Sequence, residues 1–206
     1  MSDWKSLFDG SSLQGWHRYG KDTVGKAWRA EAGAIRFVPT ANDRGDLVTD
    51  QSFGNFHLKL DWKISRGGNS GLLFYVQEDA AQYKYSWMSG PEIQLLDNER
   101  HPDAQLPKRK AGDLYDLIAA EEGAVKPAGE WNSTELICDN GHLIILLNSQ
   151  TILSATLWDT SWKALIANSK FANIPRYGTY KSGKIALQDH EDEVWFRNIL
   201  IKEISS

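Results

Sequence analysis

The amino-acid sequence predicts an all-β protein, folded over residues 1–206 as one two-sheet antiparallel sandwich with a short helix near residues 159–171. Three observations lead there. Short apolar runs recur along the chain, broken by Gly, Asn and Asp turn signals about every 8–12 residues, the spacing of a sandwich. One run, Phe56 to Ile64, alternates strictly between apolar and polar side chains, the period of a strand with one wet face. Helical spacing is confined to Trp162, Leu165, Ile166 and Phe171, behind an N-cap at Asp159 or Thr160. A chain of 206 residues can bury a core without staples. No linker, low-complexity tract or repeat of fixed period divides it.

In chain order, Trp4 to Trp16 is a set of short apolar pieces broken at Asp9-Gly10 and Gly15. Trp28-Arg29-Ala30 and Ala34 to Val38 flank the turn Glu31-Ala32-Gly33 and form a hairpin. Leu47-Val48-Thr49 is a short strand. In Phe56 to Ile64, the residues Phe56, Leu58, Leu60, Trp62 and Ile64 share one face, with His57, Lys59, Asp61 and Lys63 on the other. A Gly-rich turn, Gly67 to Gly71, then leads into the strand Leu72 to Val76, and a second strand runs from Pro91 to Asp97. The loop Asn98 to Gly112 carries Pro102 and Pro107, which oppose regular structure. It is either a lid or a solvated excursion, loops of this length being commonly functional. Leu114 to Ile118 reads as a brief strand. Glu130 to Cys138, His142 to Leu147 and Thr151 to Ala155 form a meander with turns at Asp139-Asn140-Gly141 and Asn148-Ser149. After the helix, Gly183 to His190 and Glu193 to Lys202 are strands joined by an acidic turn.

Composition excludes several classes of function. Net charge is -4, and the one basic cluster, Lys108-Arg109-Lys110, is too short for a nucleic-acid surface. No apolar run approaches the ~20 residues of a membrane span. The lone Cys138 lies in an apolar run and reads as a small buried hydrophobe. No signal peptide follows Met1, so the chain is expected in the cytoplasm, or in the periplasm or outside the cell if a leader has been removed. Nine Trp and seven Tyr offer flat apolar faces with polar handles, which suit sugars as well as cores. The expected partner is a small carbohydrate; oligomeric state is open.

Candidate chemistry centres on Pro91 to Asp97. Strand alternation puts Glu92 and Gln94 on one face and Ile93 and Leu95 on the other. Such a face is either a sugar-handling surface or ordinary solvated strand. A two-carboxylate glycosidase needs a second acid ~5 to ~9.5 Å away. The strand does not supply one: Asp97 is out of phase, which leaves Asp116 or Asp189. Gln188-Asp189-His190 ends a strand before the acidic turn, and its His suits proton transfer near neutrality; the bland alternative is turn bonding. His101 with Asp97 could touch a cation, but no paired-His spacing supports a metal site. No Gly-x-Ser-x-Gly elbow is present, and Gly67 to Gly71 lacks the Lys and helix of a phosphate loop.

Several ordered blocks resemble the 3-keto-disaccharide hydrolase domain family. They are Leu7 to Trp16, Gly68-Asn69-Ser70-Gly71, Gly90 to Asn98, Leu114-Tyr115-Asp116-Leu117, Lys126 to Asn132, Leu187 to His190 and Val194 to Ile199. No single block is specific, but the ordered set covers nearly the whole chain. Asn148-Ser149-Gln150 stands where Asn-Gly is usual in the family, a change confined to a turn. The resemblance implies a concanavalin-A-like jelly roll that binds sugars on its concave sheet. It also implies cleavage of 3-keto glycosides, in a family whose members are mostly exported bacterial proteins. A C3 ketone acidifies the C2 proton, so one base can drive elimination of the C1 substituent, and water then adds back. On this reading Glu92 or His190 is the base. Lys126, Asn69 and Gln94 hold the enolate oxygens, while Tyr75, Trp87 and Trp131 shape the sugar site. Asp116, Asp189 and Gln188 orient the His or bind hydroxyls. No cofactor is required, although a divalent cation is compatible. The alternatives are a non-catalytic lectin-like module and a conventional two-carboxylate glycosidase.

Overall fold

The computed structural model describes residues 3–79 and 81–205. The strands are β1 (Lys5–Ser6), β2 (Trp16–Arg18), β3 (Trp28–Glu31), β4 (Ala34–Phe37), β5 (Leu47–Thr49), β6 (Phe56–Ile64) and β7 (Asn69–Val76). They continue as β8 (Glu92–Leu96), β9 (Asn132–Asp139), β10 (His142–Leu147), β11 (Gln150–Thr156), β12 (Lys184–Leu187) and β13 (Val194–Glu203), with the helix α1 at Thr160–Ala167. They form two antiparallel sheets. The larger has the order β11-β10-β9-β6-β13-β4-β3, with β1 also on β13; the smaller has the order β2-β5-β12-β7-β8.

The alternation in β6 is obeyed at every position, buried residues at Phe56, Leu58, Leu60, Trp62 and Ile64 and half-buried ones between them. Its apolar face meets Leu72, Phe74, Ile93 and Leu95 of the smaller sheet in one continuous core. Four of the Trp are buried here, and each indole N–H finds an acceptor: Trp16 on Leu7 O, Trp28 on Gly45 O, Trp62 on Thr134 Oγ1 and Trp162 on Gly178 O. Cys138 is buried among them, and burial pushes its thiol up to about 12.

The turns follow the sequence signals. Ala32 and Gly33 both have positive φ, 51° and 75°, as a two-residue hairpin requires. The β10–β11 turn puts Ser149 at φ 70°, a conformation that suits glycine better. Asn148 anchors it: the side-chain amide donates to Ala124 O (2.7 Å) and Asn132 Oδ1 (2.8 Å), and Oδ1 accepts from Ser133 N (2.9 Å).

Three local expectations need adjusting. The Gly-rich turn ends earlier, because β7 is already paired with β8 from Asn69. Leu114 to Ile118 is a closed turn and not a strand: Leu114 bridges Ile93 on one side and Ile118 on the other. Helix α1 stops at Ala167, capped at its start by Asp159 Oδ1 on Trp162 N (2.7 Å). The last two strands are joined by an acidic turn as expected, and that turn crosses between the sheets, with β12 in the smaller and β13 in the larger. That crossing carries Gln188, Asp189 and His190 to the end of the smaller sheet.

Candidate active site

Both faces of β7 and β8 are buried throughout. Their inner face joins the core. Their outer face forms the floor of a cleft of about 260 Å³, covered by the long connections that follow β7 and α1. At one end the floor is apolar, with Val48, Leu73, Val76 and Ala186 packed under Tyr19 and Trp87. At the other end it is polar. Cross-strand pairing sets Gly71 opposite Gln94 and Leu73 opposite Glu92, while Gln188 N donates to Gly71 O (2.9 Å). Glycine at 71 leaves a gap, and the Glu92 side chain lies across it: a Cβ there would stand 2.8 Å from Glu92 Cγ and Cδ.

Glu92 is 5% exposed. Desolvation pushes its carboxyl up to about 8, against the pull of Lys170 and a hydrogen bond from Gln188, with the Asp46 charge adding to the rise. The bonding pattern turns the Gln94 amide nitrogen toward Glu92 Oε1 (3.2 Å), Asn69 Oδ1 (3.3 Å) and Ser70 O (3.1 Å). The Asn69 amide nitrogen reaches His190 Nε2 at 3.5 Å, and its backbone N–H donates to Asp192 Oδ2 (3.0 Å). The Oε1 of Gln188 is buried without a partner. An orphaned acceptor in a cleft-lining residue is a place for a ligand donor.

Asp46 lines the same cleft. One carboxylate oxygen accepts from Asp189 N (2.8 Å) and the other from Ser86 Oγ. Desolvation raises its carboxyl to about 6, despite those two bonds. Lys170 extends over the Tyr115 ring, its Nζ 4.0 Å from the centroid. Burial lowers its ammonium and Glu92 opposes that. Phe171 stacks on Tyr177 at 4.0 Å, and the buried Tyr177 hydroxyl has no partner.

Of the residues singled out from sequence, Glu92, Gln94, Asn69, Trp87, Gln188, Asp189 and His190 come together in this cleft. Asp116 sits behind it: Oδ2 accepts from Lys170 N (2.8 Å), and Arg109 lies 3.8 Å from Oδ1. Three others are elsewhere. Tyr75 lies at a bulge where β7 slips against β12, with φ 56°, and that turn of the backbone swings its ring into the core against Phe56 and Phe74. Its hydroxyl donates to Gly54 O. Trp131 lies on the larger sheet's outer side, with the Lys63 ammonium 5.1 Å and the Arg197 guanidinium 4.0 Å from its ring centroid. Lys126 donates to Trp131 O there. Asp97 spends its oxygens on the turn, accepting from Gly67 N and Glu99 N, while the ring of His101 stands 6.5 Å from that of His190. Among the described residues, no group of three or more His, Cys, Asp or Glu gathers as a metal ion would need.

Sequence reasoning missed Asp46, Tyr85, Tyr115, Lys170 and Phe171. Tyr115 lies inside a recognised block and Asp46 directly before a recognised strand, so both were within reach. Lys170 and Phe171 follow a helix whose docking no local pattern discloses.

Fold and cleft together define the class: a two-sheet sandwich of the carbohydrate-handling type, with a buried carboxyl in an open polar cleft. Residues 3–202 match the 3-keto-alpha-glucoside-1,2-lyase-like domain, and the chain belongs to that family. It is 37% identical to a 3-keto-disaccharide hydrolase of Bacteroides thetaiotaomicron, over 96% of this chain and 77% of that protein. A crystal structure from Parabacteroides distasonis, provisionally described as a glycosyl hydrolase, superposes with a TM-score of 0.89 at 33% identity. The match covers 98% of this chain and 94% of that one. The carbohydrate-binding module CBM66 of Bacillus subtilis shares the fold at a TM-score of 0.56 and 14% identity, over 94% of this chain and 98% of the module.

Proposed function

We propose that this protein cleaves glycosides whose sugar carries a ketone at C3, by elimination across C1–C2 followed by hydration. The observation that carries the reading is Glu92, a nearly buried carboxyl raised to about 8, among amide groups and one cation. A carboxylate raised that far is a stronger base than an ordinary Glu, matched to an acidified C–H near neutral pH. Glu92 takes the C2 proton. The electron pair left behind is delocalised onto the C3 oxygen, where Lys170 and the Asn69 amide lower the energy of the negative charge, while the Gln94 amide is spent on Glu92, Asn69 and Ser70. The enolate then collapses, the C1–O bond breaks, and the aglycone leaves with a proton from His190 at the rim. Water adds to C1 of the resulting enone and gives its spare proton back to His190, while Glu92 returns its proton to C2, so both groups are restored and the sum is hydrolysis. The unpartnered Gln188 Oε1 accepts a sugar hydroxyl. Lys170 takes the place that the sequence suggested for Lys126.

The relative from Bacteroides thetaiotaomicron supports the substrate class by its name. Asp189 and Asp46 favour a second reading, because either gives the cleft the second carboxyl that a conventional glycosidase uses. The test is aglycone release from two chromogenic glucosides, one plain and one oxidised at C3, with wild type and Glu92→Gln, each with and without chelator. Turnover of the keto substrate alone, lost in the variant, is the expected result; chelator sensitivity would add a cation. Turnover of the plain glucoside would favour two-carboxylate chemistry, and sugar binding without any turnover would make the protein a module.

A further inference from the structure

The chemistry above uses the polar end of the cleft and leaves its aromatic wall without a task. Tyr85 and Trp87 belong to the connection between β7 and β8, at a short 3-10 turn, Ser86–Met88. Their rings are nearly parallel, 10° apart with centroids at 5.7 Å, an offset pair presenting two stepped faces. Trp87 is braced from below by the apolar floor of Val48, Leu73, Val76 and Ala186. Tyr85 is 46% exposed, among the largest apolar side chains left in solvent. Ser86 between them is fully buried and donates to Asp46, which also holds the Asp189 backbone. The aromatic pair is thus fixed to the segment that carries His190. Beyond that floor and each other, the rings have lysine heads over them: Lys84 at 5.1 Å from Tyr85 and Lys170 at 5.9 Å from Trp87.

The position along the cleft assigns the ligand part. Glu92, Gln94, Asn69 and Gln188 are 1 to 6% exposed and form the deep end, where the reacting sugar's oxygens must sit. Tyr85 stands at the mouth, so it meets whatever projects outward from C1. We propose that Tyr85 and Trp87 form an aglycone subsite, which takes a leaving group built on a flat six-membered ring. Both a pyranose and an aryl ring offer such a face, and stacking on it needs no particular hydroxyl pattern. The inference deepens the keto-glycoside reading and rests on it. It makes Tyr85 a specificity residue, with its effect on the choice of leaving group.

The experiment compares three 3-keto glucosides, with methyl, 4-nitrophenyl and glucosyl aglycones, in wild type, Tyr85→Ala and Tyr85→Phe. In Tyr85→Ala the preference for a ring aglycone over methyl, as a ratio of kcat/KM values, should fall roughly three- to tenfold. Tyr85→Phe should restore it, since the ring and not the hydroxyl stacks. A fall for the aryl aglycone alone, or for the sugar alone, supports the subsite and names its natural occupant. An equal loss on all three substrates, or no change in the ratio, overturns it. Calorimetric binding of the same compounds to Glu92→Gln, with and without Tyr85→Ala, separates the two claims. If nothing is cleaved but the ring aglycones still bind more weakly without Tyr85, the subsite stands and the catalytic reading falls. Equal binding in both backgrounds overturns the subsite.

Discussion

Glu92 lies in the space that Gly71 leaves open on the neighbouring strand, its Cδ only 2.8 Å from where a Cβ at 71 would be. The backbone of residue 71 is ordinary strand, so alanine is tolerated by φ and ψ and refused by the carboxylate alone. Gly71→Ala should therefore leave the fold intact and displace Glu92. We expect kcat/KM on a 3-keto glucoside to fall by on the order of 10²-fold, the scale of a misplaced catalytic group. A melting temperature near wild type beside that loss would place the effect in the site. Full activity would show that Glu92 is not the base.

The pH profile tests whether Glu92 acts as base or acid. With its carboxyl raised to about 8, the ionised form is scarce below that pH. On a 4-nitrophenyl substrate, whose leaving group needs no proton from His190, a carboxylate that abstracts the proton makes log kcat/KM climb with unit slope up to about pH 8 and then level. It should steepen below about 6, where Asp46 takes up a proton and the charge that holds Asp189 N–H and Ser86 is lost. A profile that falls above 8 would make Glu92 the acid. Steady-state kinetics between pH 5 and 9.5 decides.

The same group sets a pH dependence of stability. Its folded pKa lies above its ordinary 4.5, so between 4.5 and about 8 the native state binds more protons than the unfolded one. Stability contributed by neutral Glu92 is complete below 4.5 and is lost as pH rises through 8. Glu92→Gln removes that loss. Its melting temperature should gain on wild type as pH is raised from 5 to 9, measured by calorimetry. A constant difference would mean that the carboxyl is not buried in the charged state.

What the sequence disclosed of this site, and what it hid, follow one physical line. Alternation within a strand is local, so Glu92 and Gln94 on one face of β8, and Phe56 to Ile64 in β6, were legible. Tyr75 was misplaced because a bulge breaks the period, and a bulge depends on the partner strand. Trp131 and Lys126 have the right chemistry on the wrong sheet, and sheet membership is set by topology, to which residue type is blind. Asp46 and Lys170 reach the cleft across long sequence separations. Lys170 is held there by its backbone bond to Asp116, a residue that looked like a ligand contact and serves as a support.

Asp46 should behave as such a support for the opposite wall. Asp46→Ala removes the acceptor for both Asp189 N–H and Ser86 Oγ, leaving two donors at the base of the His190 and Tyr85–Trp87 segments unpaired. We expect kcat/KM to fall about 10- to 100-fold, with partial recovery in Asp46→Asn, whose amide oxygen still accepts one bond. Loss as deep in Asp46→Asn as in Glu92→Gln would instead assign Asp46 to the chemistry.

The larger sheet's outer face provides the complementary test. The Trp131 ring contacts the Lys63 ammonium and the Arg197 guanidinium, and Lys126 donates to its carbonyl at 3.1 Å. These contacts stabilise a surface remote from Glu92, across the full thickness of the sandwich. Trp131→Ala should therefore cost about 1 kcal/mol of stability, the scale of exposed cation–π pairs, and Lys126→Ala less. Neither should change kcat/KM on the 3-keto substrate by more than about twofold, because ΔΔG values for distant sites with no shared partner are independent. Denaturant melts and initial rates on the same samples separate the two effects. A loss of activity in Trp131→Ala beyond its loss of stability would put the sugar on the larger sheet and displace the cleft around Glu92 as the active site.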